Sequence, residues 1–499
     1  MRQAGILMPV SSLPSDYGIG DFGQNAFAFV DRMAEAGVKI WQILPLNPLG
    51  YGNSPYQPYS SMAGDEIYLG LDILTKEGLL EESPAPFSKD AETVDYEKVR
   101  AYKETYLKKA FEAFDQTAED FVAFANQDWV FLYGVFRAFK SANNMVCWNE
   151  WEPEYKNWIK TASAAKSEGN YKEKIAQDAL CQKYEKEITY HIFLQYLFLK
   201  QWMELKTYAN KKKIQVMGDI PFYVGIDSLD VWSNQDSFLL DENGMPVFIA
   251  GVPPVYFSAT GQRWGNPIYD WDYLKEHHYD FWVNRIAYNH KLFDIIRIDH
   301  FRAFDTYWKI PATCPTAIEG EWIEAPGYEV FDAIYEKMPK AKIVAEDLGD
   351  LRPEVHTLKN HYKLKGMKII QFTFDPNENN NNFKDKKNMI AYTGTHDNQT
   401  ILGWYESQKP SLQKKIRSCL WKMGYHQRSI AQRFVEYTLD NKADYAIIPM
   451  QDILELDDVG RLNTPGTVGS PNWEWKMADF TQADKFMPVF AKNVKKSGR

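Results

Sequence analysis

Short apolar runs punctuate this chain, and most of them end in Gly, Pro or a charged residue. Eight are read as strands: GILMPVSS (5–12), VKIWQILPL (38–46), KIQVMGDIPF (213–222), DIIRIDHF (294–301), KIVAEDLG (342–349), MKIIQFTF (367–374), MIAYTGTHD (389–397) and YAIIPMQDI (445–453). Between several of them the apolar positions repeat at helical spacing, as in NAFAFVDRMAEAG (25–37) and LRPEVHTLKNHYK (351–363). Pro353 sits early in the second of these, where a missing N–H costs a helix nothing. Continuous apolar strands alternating with helices predict a parallel sheet covered on both faces. Eight such units predict a closed (β/α)8 barrel, the TIM-barrel class of α/β fold. An open doubly wound sheet is the structural rival. The first strand-to-helix segment, VSSLPSDYGIGDFG, has glycines but no GxGxxG in the right place, which counts against a dinucleotide fold.

The spacing of the runs is uneven. The segment 65–200, between the second and third strands, is aromatic and helix-patterned, and predicts a helical insertion subdomain. The segment 223–292, between the third and fourth strands, predicts a further insertion carrying a Gly/Pro/aromatic loop at 251–271, GVPPVYFSATGQRWGNPIYDW. The expected organisation is a single barrel over 1–499 with large, mainly helical insertions. No internal repeat is evident, and NENNNN (377–382) reads as an exposed loop.

Composition narrows the function. Of 499 residues 45% are hydrophobic and 25% charged, which is globular rather than disordered. The 16 Trp and 30 Tyr fit either an aromatic-rich core or flat rings presented to a ligand such as a sugar. A net charge of −10 argues against nucleic acid and anionic membranes as partners. The basic run Lys211–Lys213 reads as a solvated helix end. Cys147, Cys181, Cys314 and Cys419 form no CxxC pair, so reduced thiols are expected rather than disulfides or zinc. No signal peptide is read at the N-terminus, and no apolar stretch approaches the ~18 residues of a membrane span. A cytoplasmic protein is therefore expected, in which the sequon at Asn398 is accidental.

The strand DIIRIDHF places a cation and a carboxylate inside an apolar run. Residues two apart on a strand share a face, so Arg297 and Asp299 point together into the barrel while Ile296 and Ile298 pack outward. Catalytic residues of such barrels come from the C-terminal strand ends and the loops beyond. Those ends carry Asp219, Arg297, Asp299, Glu346, His396 and Asp397. Each has a plain structural reading: an ion pair for Arg297 and Asp299, a helix cap for Glu346, turn chemistry for His396-Asp397-Asn398. Their convergence on one mouth favours a site. Two chemistries fit. Three carboxylates could hold magnesium, although no inward lysine base is found and Arg297 competes for Asp299. Alternatively, a retaining glycoside mechanism needs a nucleophile and an acid/base. Arg297 would keep Asp299 ionised, and Glu346 would stay protonated among other carboxylates.

At these residues the chain resembles a known family. SSLPSDYGIGDFG, WQILPLNPLGYGNSPYQPYSSMAG, GDIPFYV, GVPPVYFSATGQRWGNPIYDW, RIDHFRAF, AEDLG, THDN and LNTPGTVGS occur in order across nearly the whole chain. Together they resemble the amylomaltases, 4-α-glucanotransferases of the α-amylase superfamily, which implies a catalytic amylase-type barrel with no C-terminal β-domain. The resemblance implies Asp299 as nucleophile, Glu346 as acid/base and Asp397 as the carboxylate that binds donor hydroxyls and stabilises the transition state. It implies supporting roles for Asp219, Arg297 and His396, a donor-side aromatic in Tyr56, a hydroxyl-binding residue in Asn463, and a lid over the acceptor side carrying Gln262 and Trp264. Val255 stands where many relatives have Asp, which bears on acceptor contacts. The implied substrates are maltodextrin, amylose or glycogen-type glucans, with glucose as an acceptor. No cofactor or metal is implied, and the expected state is monomer or homodimer. An α-glucan hydrolase of the same superfamily and a catalytically silent glucan-binding protein remain the alternatives.

Overall fold

The computed structural model describes residues 2–169, 171–254, 258–378 and 385–499. In chain order its strands are β1 (Gln3–Leu7), β2 (Ile40–Gln42), β3 (Gln215–Ile220), β4 (Phe248–Val252), β5 (Gln262–Pro267), β6 (Ile295–Ile298), β7 (Thr306–Pro311), β8 (Glu321–Glu324), β9 (Ile343–Ala345), β10 (Gly366–Ile369), β11 (Met389–Tyr392) and β12 (Tyr445–Pro449). Eight of them pair in the order β10-β11-β12-β1-β2-β3-β6-β9, every neighbouring pair parallel. The ring closes between β9 and β10. There Val344 bridges Lys365 in parallel, and the Ala345 N–H donates to the Lys365 carbonyl at 2.8 Å. Each of the eight apolar runs supplies one barrel strand. The strands stop before the runs do, β2 at Gln42 and β9 at Ala345.

Strand alternation sorts the side chains as the pattern requires. Leu7, Ile40, Met217, Ile295, Val344 and Tyr392 form part of a sealed inner cluster. Ile296 and Ile298 are fully buried in the outer core, under the helices. In register, Met217 faces Ile295 and Asp219 faces Arg297, so the inner row changes from apolar to ionic one step before the strands end. Gly218 makes this approach possible, since a Cβ there would lie 2.2 Å from the Phe293 ring.

The flanking helices follow their patterns. Helix 24–35 buries Ala26, Phe29, Val30 and Met33, one face at spacings of three and four. Helix 353–361 begins at Pro353. Between β2 and β3 the described chain runs through helices from Leu71–Lys76 to the long Glu185–Lys211, which delivers it to β3. Lys103 ties this insertion to the barrel. It is 1% exposed and donates to Asp21 Oδ2 at 2.9 Å and to the carbonyls of Ile67 and Leu69.

One part of the fold corrects the sequence reading. The stretch read as a lid loop contains part of a hairpin, β4 and β5, in a second sheet of order β5-β4-β7-β8, all antiparallel. Its other two strands come from the segment between β6 and β9. Gly251, Gly265 and Pro267 within these strands break the alternation by which a strand is recognised, and a register shift falls between Ile249 and Gly251. Val255, Tyr256 and Phe257 lie outside the described residues, as do 379–382 of the NENNNN patch. After β12 the described chain forms helices, including Met450–Ile453 and Thr481–Ser497.

Candidate active site

The ionic row at the end of β3 and β6 opens into a cleft of about 200 Å³. Tyr56, Trp264, Asp299 and His300 line it, with Tyr223 and Asn266. Arg297 is 3% exposed and works as a two-sided brace. Its Nη1 donates to Asp219 Oδ2 at 2.6 Å, and its Nη2 lies 3.1 Å from Asp299 Oδ1. The Tyr56 hydroxyl donates to the same Asp219 oxygen at 2.8 Å and lies 2.9 Å from His396 Nε2. With its own proton given to Asp219, Tyr56 accepts from His396 Nε2–H. The imidazole stacks on Tyr56 with ring centroids 5.2 Å apart. Four chain segments are thereby joined around one buried carboxylate.

Asp397 follows on the loop beyond β11. Its Oδ1 accepts from Asn463 Nδ2 at 2.7 Å, and its Oδ2 is 3.5 Å from His396 Nε2. Arg461 Nη2 donates to the Asp397 carbonyl at 3.2 Å. The Asp397 side chain stays 44% exposed, leaving carboxylate surface for a ligand. Glu346, just past β9, accepts from the backbone N–H of His300 at 2.9 Å and of Leu348 at 3.0 Å.

Proton affinities separate the two carboxyls that could do covalent chemistry. Burial pushes Glu346 up to about 7, and the nearby Asp299 charge adds to this, while Arg297 and the two backbone N–H groups oppose it. Burial pushes Asp299 up to about 6 against the pull of Arg297, with Asp219 and Asp397 also raising it. The sequence led us to expect Arg297 to prevail at Asp299. It does not, because burial and two further carboxylates outweigh one guanidinium. About a third of the Asp299 side chain, 32%, still meets the open mouth, where water favours its ionised form. Burial raises both groups, and the guanidinium 3.1 Å from Asp299 favours ionisation of Asp299, while Glu346 is raised further by the Asp299 charge.

Of the two residues named from the stretch 251–271, Trp264 lines the cleft and Gln262 does not. Trp264, on β5, meets the His300 ring edge-to-face at 4.9 Å and roofs the cleft over Asp299. Gln262 is not among the cleft-lining residues; its Oε1 accepts from Trp264 Nε1 at 3.1 Å and so fixes the indole. Sequence reasoning passed over His300 and Trp473. His300 is in a left-handed conformation, φ 53°, which turns its ring under Trp264 while its N–H reaches Glu346. Burial pushes its pKa down to about 3, so it is neutral. Its presence in the RIDHF motif was the available signal. Trp473 packs on Tyr56 and His396 at 5.9 and 6.0 Å, from a segment with no apolar pattern to betray it.

A larger hollow of about 670 Å³ lies elsewhere, walled by residues such as Trp129, Leu132, Asp230 and Tyr288. It contains none of the three mouth carboxylates, so volume alone does not locate the chemistry. Among the described residues no group of three or more His, Cys, Asp and Glu is placed to hold a metal ion. At the mouth the Arg297 guanidinium stands between Asp219 and Asp299, where a shared cation would need to be. No described helix is long and apolar enough to cross a membrane.

A family model described as 4-alpha-glucanotransferase, of glycoside hydrolase family 77, matches residues 8–482. The chain belongs to the 4-α-glucanotransferase family. The 4-alpha-glucanotransferase of Streptococcus pneumoniae is 41% identical over 487 residues, covering 96% of this chain and 94% of that protein. That of Thermus thermophilus is 39% identical, covering 95% of each. Among solved structures, an amylomaltase from Streptococcus agalactiae in complex with acarbose superposes with a TM-score of 0.90 at 36% identity, over the full length of both chains. An amylomaltase from Corynebacterium glutamicum shares the fold, with a TM-score of 0.78 at 16% identity, over 100% of this chain and 75% of that one. As a 4-α-glucanotransferase, the enzyme transfers glucan segments on an amylomaltase-type barrel.

Proposed function

We propose that the transfer proceeds by double displacement with retention, and that Asp299, Glu346 and Asp397 carry it. In the first step Asp299 attacks the anomeric carbon of the donor glucan while Glu346 gives its proton to the departing 4-oxygen. A shortened glucan leaves, and the glycosyl group stays esterified to Asp299. In the second step Glu346 takes the proton from the 4-hydroxyl of an acceptor, whose oxygen attacks the anomeric carbon and releases Asp299. Asp397, steadied by Asn463 and His396, accepts hydrogen bonds from donor hydroxyls, which strengthen as positive charge grows at the ring. The observation that carries this reading is the placement of Asp299 and Glu346 just past the ends of the paired strands β6 and β9, with the Arg297 guanidinium 3.1 Å from Asp299 and two backbone N–H groups on Glu346.

The donors are maltodextrins and amylose or glycogen-type glucans; glucose and shorter dextrins are acceptors. The cleft is also expected to bind acarbose. Hydrolysis is the competing outcome of the second step, and the Trp264–His300 roof favours the sugar by giving it an oriented surface that water cannot use. Incubation with maltotriose tests the reading. Free glucose and longer dextrins should form with almost no gain in reducing ends. A rise in reducing ends matching glucose release would make the enzyme a hydrolase, and no products at all would leave only glucan binding.

A further inference from the structure

The loop that presents His396 and Asp397 starts at Thr393, directly after β11, and ends at Ile401, the first residue of helix Ile401–Glu406. Both of these end residues are gripped by one side chain. Asp452, on the helix that follows β12, is 1% exposed. Its Oδ1 accepts from the Ile401 N–H at 2.7 Å, and its Oδ2 accepts from the Thr393 hydroxyl. Further out, Asp458 accepts from the Thr400 N–H at 3.1 Å and from Gln399 Nε2 at 2.6 Å, in an exposed position where water competes. At the tip, Asn398 Oδ1 accepts from the Thr395 N–H and hydroxyl at 2.8 and 2.9 Å, which folds the tip on itself.

We propose that Asp452 is a positioning residue for glucan transfer: its buried carboxylate joins the two ends of the loop 393–401 and so fixes where Asp397 and His396 meet the donor sugar. The inference rests on the role given above to Asp397. A carboxylate is an expensive group to bury, and desolvation pushes this one up to about 6. An apolar side chain would fill the same space more cheaply, but it would leave the Thr393 hydroxyl and the Ile401 N–H without an acceptor. Asparagine has nearly the same shape and offers only one carbonyl oxygen. Its amide N–H groups would face one of the two donors, and one end of the loop would come free. Asp397 would then keep its chemistry and lose its place.

The test compares Asp452→Asn, Thr393→Val and Thr393→Ser with the parent enzyme, using folded, monodisperse protein. Turnover of maltotriose, its KM and the inhibition constant of acarbose are measured for each. Misplacement on the scale of an ångström costs about 100-fold in favourable cases. Asp452→Asn and Thr393→Val are expected to lower kcat by about 10–100-fold and to weaken acarbose by a comparable factor. KM should move less than about threefold. Thr393→Ser, which retains the hydroxyl, should restore both. A variant that loses only melting temperature, with acarbose affinity intact in the folded fraction, overturns the proposal. If Asp452→Asn does not fold, Thr393→Val decides alone. Asp397→Asn is run in parallel. If it leaves acarbose affinity intact, the role assigned to Asp397 is wrong; if it lowers that affinity while the loop variants do not, only the clasp is wrong.

Discussion

Asp299 and Glu346 are both carboxyls at the ends of adjacent strands, and their surroundings give them different work. Replacing Asp299 by Ala should abolish transfer, by at least about 10⁴-fold, because no other group can form the glycosyl ester. The fold should survive, since 32% of the side chain faces the mouth and not the core. A fluorinated glycosyl donor should label Asp299 in the parent enzyme; a label on Glu346 would reverse the two roles. The pH profile of kcat/KM should be bell-shaped, falling below about 6 as Asp299 takes up a proton and above about 7 as Glu346 loses one. Glu346→Gln should remove the upper limb and spare donors whose leaving group needs no proton. It should also change stability in a defined direction. Glu346 has a folded pKa above its unfolded one, so ionising it costs the folded state as pH rises through about 7. The glutamine variant lacks this titration, so its melting temperature relative to the parent should rise between pH 4 and pH 8, from a starting level lowered by the one backbone N–H, of His300 or Leu348, that the amide nitrogen would face. At this scale the charged residues were readable in the sequence because an ion inside an apolar run has no cheap structural use. His300 and Trp473 were less readable, since a ring beside a ring looks like ordinary core.

At the level of elements, the barrel was legible because all eight strands are buried on both faces and so read as unbroken apolar runs. The β4-β5-β7-β8 sheet was hidden for the opposite reason. β8 has the burial pattern exposed–exposed–intermediate–exposed, and β5 contains glycine and proline, so neither shows the alternation that marks a strand. The consequence for function is that Trp264 sits on a strand paired into a sheet, and not on a free loop. Pairing of β5 with β4 holds the indole at the cleft that Asp299 also lines, which lowers the ordering entropy lost on binding. Trp264→Ala should remove that stacking surface at a cost to acceptor binding of roughly 1–3 kcal/mol. That corresponds to about a tenfold to hundredfold shift from transfer toward hydrolysis. Glucose and reducing ends followed together on maltotriose report it. Equal losses of both reactions would place the indole in donor binding or in folding.

At the scale of the whole molecule, the helical insertion and the barrel meet at several buried polar contacts, and Lys103 makes one of them. Lys103→Met would strand the Asp21 carboxylate, 4% exposed, along with two carbonyls. Breaking a buried pair in this way costs about 3–5 kcal/mol, and the melting temperature should fall accordingly while maltotriose kinetics of the surviving folded protein stay unchanged. Chelators should leave turnover unchanged, since the Arg297 guanidinium stands between Asp219 and Asp299 where a shared metal ion would need to be. The hydrogen-bonded ring around Asp219 has one more implication, and it concerns the birth of the enzyme. Tyr56, Asp219, Arg297 and His396 are sewn together from positions spread over most of the chain, and Asp397 waits for Asn463. A chain built only as far as β10 would hold Asp299 and Glu346 but would lack His396, Asp397 and Asn463, so under the proposed mechanism competence would arrive with the last loops, together with the finished barrel.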